Sequence, residues 1–368
     1  MSSQIRQFLT IGSSNSRRVE FWENALQQQN CQYDFISYDM ICNDSVVAFP
    51  KIKEPTYLRI TSPGEDFDLQ KRLLKIGGYA DADSLHFEKG VIFPNEYWYR
   101  GWCVVLQKIE GFISRNPLLK VLNNPASIQL AFHKLNCQKL LSNQGISTPK
   151  IILNQISKYD SLIHLLKQEN IHQVFIKPYH GSSASGVMAL RQNKGKQILY
   201  TTIELKGNQL YNNLKLQKYS SIPTIKTIVD SMIPRGLLVE EWIRKKTFQK
   251  KSVDFRILVI NGKAAFVVPR MSPHIITNLH LGNEKGNIDE VENVWGKELI
   301  HEAKTLAENA VKIIDGLFYG GVDVAISANG IPYVLEINAF GDLLLNIFQK
   351  ELNAYEFELK EVLENGIY

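Results

Sequence analysis

The chain has 368 residues, of which 44% are hydrophobic and 21% charged, and its formal net charge is +5. That composition excludes a disordered or fibrous protein and supplies material for two or three domains, while so small a charge fits an anionic ligand but does not point to nucleic acid. No apolar run reaches membrane-spanning length and Met1-Ser2-Ser3-Gln4-Ile5-Arg6 lacks a signal peptide's hydrophobic block, so the cytoplasm is the expected compartment.

Phe8 to Gly12, the turn Ser13-Ser14-Asn15-Ser16 and the run Val19 to Leu26 read as strand, turn and helix, with Tyr33 to Tyr38 as the next strand. This is the opening of an α/β unit with a parallel sheet. Leu58-Arg59-Ile60 leads through Ser62-Pro63-Gly64 into a helix over Leu69, Leu73, Leu74 and Ile76 that closes at Gly77-Gly78. Arg59, Glu65 and Asp66 read as a helix cap and solvated charges, and the aromatic cluster from Tyr97 to Trp102 as core or interface. Cys31, Cys42, Cys103 and Cys137 show no C-x-x-C spacing, which predicts buried free thiols.

Asn123-Asn124-Pro125-Ala126-Ser127 marks a boundary, with Ser127 as the expected cap of one helix running through Leu130, Leu135, Leu140 and Leu141 and carrying Lys134. Val174 to Pro178 is a short buried strand ending at Lys177. It enters the small-residue loop from His180 to Gly186, which can close backbone N–H groups and hydroxyls on anionic oxygens. Gly181 and Gly186 have the glycine spacing of a P-loop, but Val187 stands where that motif needs lysine and a strand follows, so this is not one. From Arg191 to Ser231 the chain is polar and reads as a peripheral lid or insertion.

Leu237 to Ile243 is a second buried strand, and the basic run Arg244-Lys245-Lys246 after it reads as a solvated loop. Asp254 to Arg270 forms a hairpin about Asn261-Gly262; straight pairing puts Arg256 and Arg270 on opposite faces, and only a break at Pro269 lets them converge. Leu299 to Ile314 keeps helical period and precedes a further hairpin, Gly320 to Asn338. With Asn329-Gly330 as a two-residue loop, Asp323 faces Glu336. Alternation then puts Val322, Val324, Ile326, Tyr333, Leu335 and Ile337 on the core face, and Asp323, Glu336 and Asn338 on the other. Facing carboxylates disfavour joint ionisation unless a cation lies between them, and an oxygen-only set suits Mg2+ or Mn2+. The tail after Glu351 reads as one more helix, with no visible chemistry.

Taken in order, these motifs resemble the ATP-grasp superfamily over roughly 125–341. Lys134 before Gly145-Ile146-Ser147-Thr148-Pro149, Lys177 with its loop, and Glu240-Glu241-Trp242-Ile243 carry the likeness. Asp254-Phe255-Arg256 with Thr277-Asn278-Leu279-His280-Leu281-Gly282 is similar to the branch that modifies ribosomal proteins, and the Leu58 to Phe67 stretch to a bacterial ATP-grasp group. The departures are His133 where many members carry Asp, no acidic residue just after Trp242, and Ile276 in place of a basic residue.

The resemblance implies an N-terminal parallel-sheet α/β domain over 1–123 and a two-lobed α+β ATP-grasp fold, with lobes at 124–236 and 237–368. It implies an ATP-dependent carboxylate–amine ligase acting through an acylphosphate, with ATP and Mg2+ or Mn2+ as cofactors. Lys134, Lys177, Gly181, Ser182, Ser183, Gly186, Glu240, Glu241, Trp242, Ile243, Asp254 and Asn278 would hold nucleotide, and Asp323, Glu336 and Asn338 would hold metal. Arg270 with Arg256 would stabilise developing charge. The expected partners are a small-molecule or peptide carboxylate and an amine acceptor, with a homodimer as one assembly and neither nucleic acid nor membrane. A small-molecule kinase and a non-catalytic nucleotide-binding protein remain as alternatives.

Overall fold

The structure is a computed structural model that describes residues 5–43, 49–64, 66–181, 184–207, 209–277, 281–341 and 344–367. Its first sheet is parallel, with strands Gln32–Ser37, Gln7–Gly12, Thr56–Ile60 and Leu119–Val121 in that spatial order. The helices between them start where short polar side chains supply caps: Ser16 accepts from Arg18 N before Arg17–Gln28, and Asp66 accepts from Leu69 N before Phe67–Ile76. The long helix Asn95–Ser114 buries Trp102, Val105, Leu106, Ile109 and Phe112, so Trp102 of the aromatic cluster is core while Tyr97, Trp98 and Tyr99 are half-buried, with Trp98 stacked on Trp102. No helix among the described residues is long and apolar enough to cross a membrane.

Arg59 departs from the solvated reading. It is 2% exposed, makes a two-pronged ion pair with Glu358 at 2.8 and 3.0 Å, and lies against the rings of Trp22, Tyr319 and Tyr355. Glu358 belongs to the C-terminal helix Ala354–Asn365, opened by a capping box of Asn353 and Glu356 and packed on the helix Arg17–Gln28. The tail therefore closes back onto the first domain. Glu65 lies outside the described residues.

The expected single helix at 127–141 is two, Pro125–Phe132 and Lys134–Asn143. The break is at His133, whose extended ψ of 88° interrupts the ladder and whose ring Nδ1 accepts from Asn136 N to start the second helix. Asn124 is the first N-cap residue, with Pro125 behind it. Ser127 instead donates its hydroxyl to Asn124 O and Gly316 O.

The second sheet is antiparallel, in the order Ile151–Leu153, Leu237–Glu241, Gln173–Pro178, Met188–Asn193, Lys196–Lys206, Gln209–Tyr219. The stretch read as a peripheral lid is thus part of its framework: it supplies two strands and the helix Ile222–Met232, whose Ile225, Ile228, Val229 and Met232 are fully buried. Its polar residues misled because these strands of an antiparallel sheet keep one face partly in water, the edge strand Gln209–Tyr219 most of all.

The third sheet runs Glu284–Lys285, Lys263–Ser272, Lys251–Ile260, Tyr319–Ile326, Pro332–Asn338, with Thr247–Phe248 pairing on Lys251–Ile260. The helix Lys297–Ile313 packs beneath it through Ala303, Ala307 and Ala310, all about 1% exposed or less. Small residues on that face let helix and sheet approach closely.

Both hairpins of this sheet contain a bulge that straight pairing did not foresee. In the first, Leu258 pairs with Phe266 and Val259 with Ala264, so Ala265 is the extra residue. The slip puts Asp254 opposite Arg270 and Arg256 opposite Val268, which brings both arginines to one face. Phe255 and Pro269 pair regularly, so the expected break at Pro269 is not the cause. In the second hairpin the turn closes at Ser327 and Ile331, leaving Ala328, Asn329 and Gly330 as a three-residue loop with Gly330 at φ 80°. Leu335 is then extra, which restores Asp323 opposite Glu336 but moves Val334 to the core face at 1% exposure and takes Tyr333 and Leu335 off it.

Candidate functional site

The second and third sheets face each other across a cleft of about 740 Å3. The bulges at Ala265 and Leu335 set which side chains of the third sheet point into it. From the third sheet come Asp254, Arg270, Asp323, Leu335 and Glu336; from the second come Phe175, Lys177, Glu240 and Glu241; Lys134, Gly181, Ala184, Ser185, Val187, Ile243, Lys245 and the segment Ile275-Ile276-Thr277 complete the wall. Its apolar part, Pro149, Phe175, Val187, Ile243 and Leu335, flanks the end of the strand Leu237–Glu241.

Opposite charges are paired throughout. Lys177 Nζ lies 2.5 Å from Glu240 Oε1, and Glu240 is 1% exposed. Burial opposes the charge on Lys177, but Glu240, Glu336 and Asp323 outweigh it and lift its pKa above the ordinary lysine value. Lys134 Nζ donates to Gly181 O at 2.8 Å and sits 3.1 Å from Glu336 Oε2, linking the glycine loop to the carboxylate hairpin. Asp323 accepts from Arg256 Nε at 2.5 Å and lies 3.1 Å from Arg270 Nη2. Arg270 Nε also donates to Asp254 Oδ1 at 2.7 Å, and Lys245 Nζ to Asp254 Oδ2 at 2.7 Å.

The two facing carboxylates are held differently. Burial would raise Glu336, yet Lys134, Lys177 and Arg256 reverse that and hold it at about 2. For Asp323 burial wins over Arg256 and Arg270, and its carboxyl is pushed above the usual range. Nearby Asp254 feels the same burial but is overcome by Arg270 and Lys245, which keep it below the ordinary carboxylate value.

Of the residues singled out from sequence, Lys134, Lys177, Gly181, Glu240, Glu241, Ile243, Asp254, Arg270, Asp323 and Glu336 line this one cleft. Gly186, Trp242, Arg256 and Asn338 are not among its lining residues. Gly186 has φ 72° and backs onto Met232 and Pro178. Trp242 packs edge-on against Phe175 beneath the Arg191 guanidinium. Arg256 reaches the site through Asp323, and Asn338 donates its amide to Gly321 O at 3.2 Å. Ser182, Ser183 and Asn278 lie outside the described residues. No group of three His, Cys, Asp or Glu among the described residues forms a metal site, so the oxygen set here amounts to the Asp323 and Glu336 carboxylates with the Asn338 amide two rungs along the ladder.

Sequence reasoning missed Lys245 and Thr277. Lys245 was read as solvated, but its side chain is 10% exposed and its ammonium donates to Asp254 and to Thr277 Oγ1, while its neighbour Arg244 is exposed as expected. No periodicity marks Lys245. Its burial follows from an antiparallel bridge with Ser327, which pins the segment across the end of the carboxylate hairpin.

A family model described as YheC/D-like ATP-grasp matches residues 124–344. The coenzyme γ-F420-2:α-L-glutamate ligase of Methanocaldococcus jannaschii is 24% identical over 286 residues, covering 74% of this chain and 81% of that one. Its counterpart in Methanococcus maripaludis is 25% identical over 229 residues, covering 62% of this chain, and the alignment spans only 63% of that relative's length. Among solved structures, the D-cycloserine synthetase DcsG superposes with a TM-score of 0.57 at 11% identity, covering 97% of this chain and 100% of the other. The macrocyclase MdnB from Microcystis aeruginosa MRC does so with a TM-score of 0.52 at 14% identity, covering 98% and 100%. At such identities these two likenesses speak for the fold. With the family match extending over most of the chain and through every element of the cleft, this protein belongs to the YheC/D-like ATP-grasp family.

Proposed function

We propose that the protein is an ATP-dependent ligase that joins a carboxylate to an amine through an acylphosphate and releases ADP and phosphate. The observation that carries this reading is the convergence of Lys134, Lys177, Arg270, Asp323 and Glu336 on one cleft. The sequence relatives, both glutamate ligases, agree with it.

In this reading the apolar wall of Pro149, Phe175, Val187, Ile243 and Leu335 takes the base, with the backbone of 240–243 beside it. Lys177 and Lys134 hold phosphate oxygens as point charges, and the loop from Gly181 covers them. Asp323, Glu336 and Asn338 fit a hard divalent cation, Mg2+ or Mn2+: their donors are all oxygens, and the raised Asp323 carboxyl facing an ionised Glu336 marks a place where positive charge is stabilising. Bound there, such an ion would neutralise charge on the phosphates. Glu336, kept ionised by Lys134 and Lys177, is ready to bind it without losing a proton.

Arg270 has its Nε committed to Asp254, leaving the guanidinium fixed in direction toward Asp323 and the cleft. Fixed donors of this kind stabilise charge as it develops. The substrate carboxylate oxygen bonds to the terminal phosphorus while the bond to ADP breaks. The amine nitrogen then bonds to the acyl carbon, phosphate leaves, and the nitrogen loses a proton. Neither transfer calls for a side-chain nucleophile.

The test is ADP release from MgATP with a panel of amino acids and short peptides as carboxylate donors, with and without hydroxylamine. Hydroxamate formed in step with ADP is the expected result. ADP formed with a stable phosphate ester and no hydroxamate would instead identify a kinase, and nucleotide binding without turnover across the panel a binding protein.

A further inference from the structure

Four cations converge on the cleft wall, and three of them are accounted for by phosphate contact or charge stabilisation. Lys245 is not. It lines the cleft with a side chain 10% exposed, yet its ammonium is turned into the wall, donating to Asp254 Oδ2 at 2.7 Å and to Thr277 Oγ1. Thr277, itself 7% exposed, donates a hydroxyl hydrogen bond to the same Asp254 oxygen. The other Asp254 oxygen takes Arg270 Nε at 2.7 Å, and Arg270 Nη2 reaches Asp323 Oδ2 at 3.1 Å. The result is a row of alternating charge, Lys245, Asp254, Arg270, Asp323, Arg256, in which each member is fixed by the next.

Burying an ion pair is seldom a source of stability, because desolvation offsets the attraction; such pairs make sense where a direction must be held. Asp254 is 1% exposed, and leaving its second oxygen unpaired would carry the desolvation cost of a buried charged acceptor. A lone Asp254–Arg270 contact would also leave the carboxylate free to rotate about its last bond. Two donors on Oδ2, from different segments of chain, remove that freedom. We propose that Lys245 and Thr277 are positioning residues: by clamping Asp254 they set the direction in which Arg270 meets the terminal phosphoryl group of a bound nucleoside triphosphate. The assignment rests on the nucleotide reading above and adds to it a pair of residues that touch no phosphate themselves.

The test compares binding of MgADP with that of a non-hydrolysable MgATP analogue, measured by calorimetry on the full chain. If Arg270 meets the terminal phosphoryl group, the wild-type protein binds the triphosphate more tightly. Lys245→Met should erase about tenfold of that discrimination, the worth of one well-aimed charged hydrogen bond, while MgADP affinity stays within about twofold. Thr277→Val, which removes no charge, should erase a smaller part in the same direction. The double variant Lys245→Met with Asp254→Asn should be no worse than Asp254→Asn alone, because both act on one contact. Lys245→Arg should recover part of the loss.

Three results would overturn the proposal. One is a large loss of MgADP affinity in Lys245→Met, which would make Lys245 a direct nucleotide contact. Another is full additivity in the double variant, and the third is unchanged discrimination in both single variants. Should Lys245→Met not fold, Thr277→Val and Lys245→Arg decide the matter. Failure of wild-type protein to bind MgADP at all would sink the nucleotide reading instead, so the two failures are distinguishable.

Discussion

Two groups of buried charge lie among the described residues, and they differ in what surrounds them. Arg59 and Glu358 form a pair with side chains 3% and 6% exposed, roofed by Trp22, Tyr319 and Tyr355. Lys177, Glu240, Asp254, Arg270 and Asp323 are just as buried, at 8% exposure or less, but line a cleft. The first group closes on itself with equal charge and aromatic faces. The second has more charges than one pair can satisfy, ordered along a wall with open volume in front. Burial of charge alone is thus no sign of a site; burial beside empty space is.

Three experiments would break or sharpen that contrast. The largest effect is expected from Glu336→Gln, which keeps the shape of the side chain and removes the charge that Lys134, Lys177 and Arg256 stabilise. ADP production should fall by about 10³-fold, while circular dichroism shows that the variant still folds. Normal turnover would refute the metal assignment.

Arg59→Met should do the reverse. It leaves Glu358 buried without a partner and should cost about 3–5 kcal/mol in stability, read from urea unfolding, with MgADP affinity unchanged in the protein that remains folded. A change of less than about 1 kcal/mol would mean that the aromatic cage, not the ion pair, holds the C-terminal helix to the first domain.

An effect that is absent at neutral pH and appears only in acid concerns His180, at the entrance to the glycine loop. Its ring stacks on Tyr99 at 3.7 Å, with His133 edge-on at 4.7 Å, and its Nδ1 has no partner. Burial first, then His133 and Lys134, push the imidazole down to about 3. Above the ordinary value near 6.5 both folded and unfolded chains hold it neutral. As pH falls below that, only the unfolded chain takes the proton, so stability is lost between about 6.5 and 3. His180→Phe keeps the stack and should flatten the stability profile in that window by up to about 1.4 kcal/mol per pH unit. An unchanged slope would show that the ring titrates freely in the folded protein.

Much of the fold was legible without coordinates, because local chemistry decides it. Caps at Ser16 and Asp66, a helical run of small and apolar residues before Gly316, and alternating strands about Asn261-Gly262 and Asn329-Gly330 each have a cause within a few residues. The same holds for the acidic pair on the last hairpin. Its register survived, but through a three-residue turn offset by a bulge at Leu335, two departures that cancel at Asp323 and Glu336 and leave Tyr333 and Val334 exchanged.

What the sequence by itself determined, then, was most of the elements, though neither the helix break at His133 nor the strands within 196–219, and the residues whose chemistry is rare enough to stand out: a lysine closing a buried strand, a glycine-serine loop, two acids on a hairpin. Only the tertiary structure decided which charges meet. A bulge at Ala265, invisible in periodicity, turned Arg270 toward Asp254 and Asp323. A bridge to Ser327 drew Lys245 out of water, and packing of the C-terminal helix did the same for Arg59. The physical reason is one of range. Caps, turns and alternation act over a few residues along the chain, whereas the partner of a buried charge is chosen by desolvation across elements far apart in sequence, and nothing local records that choice.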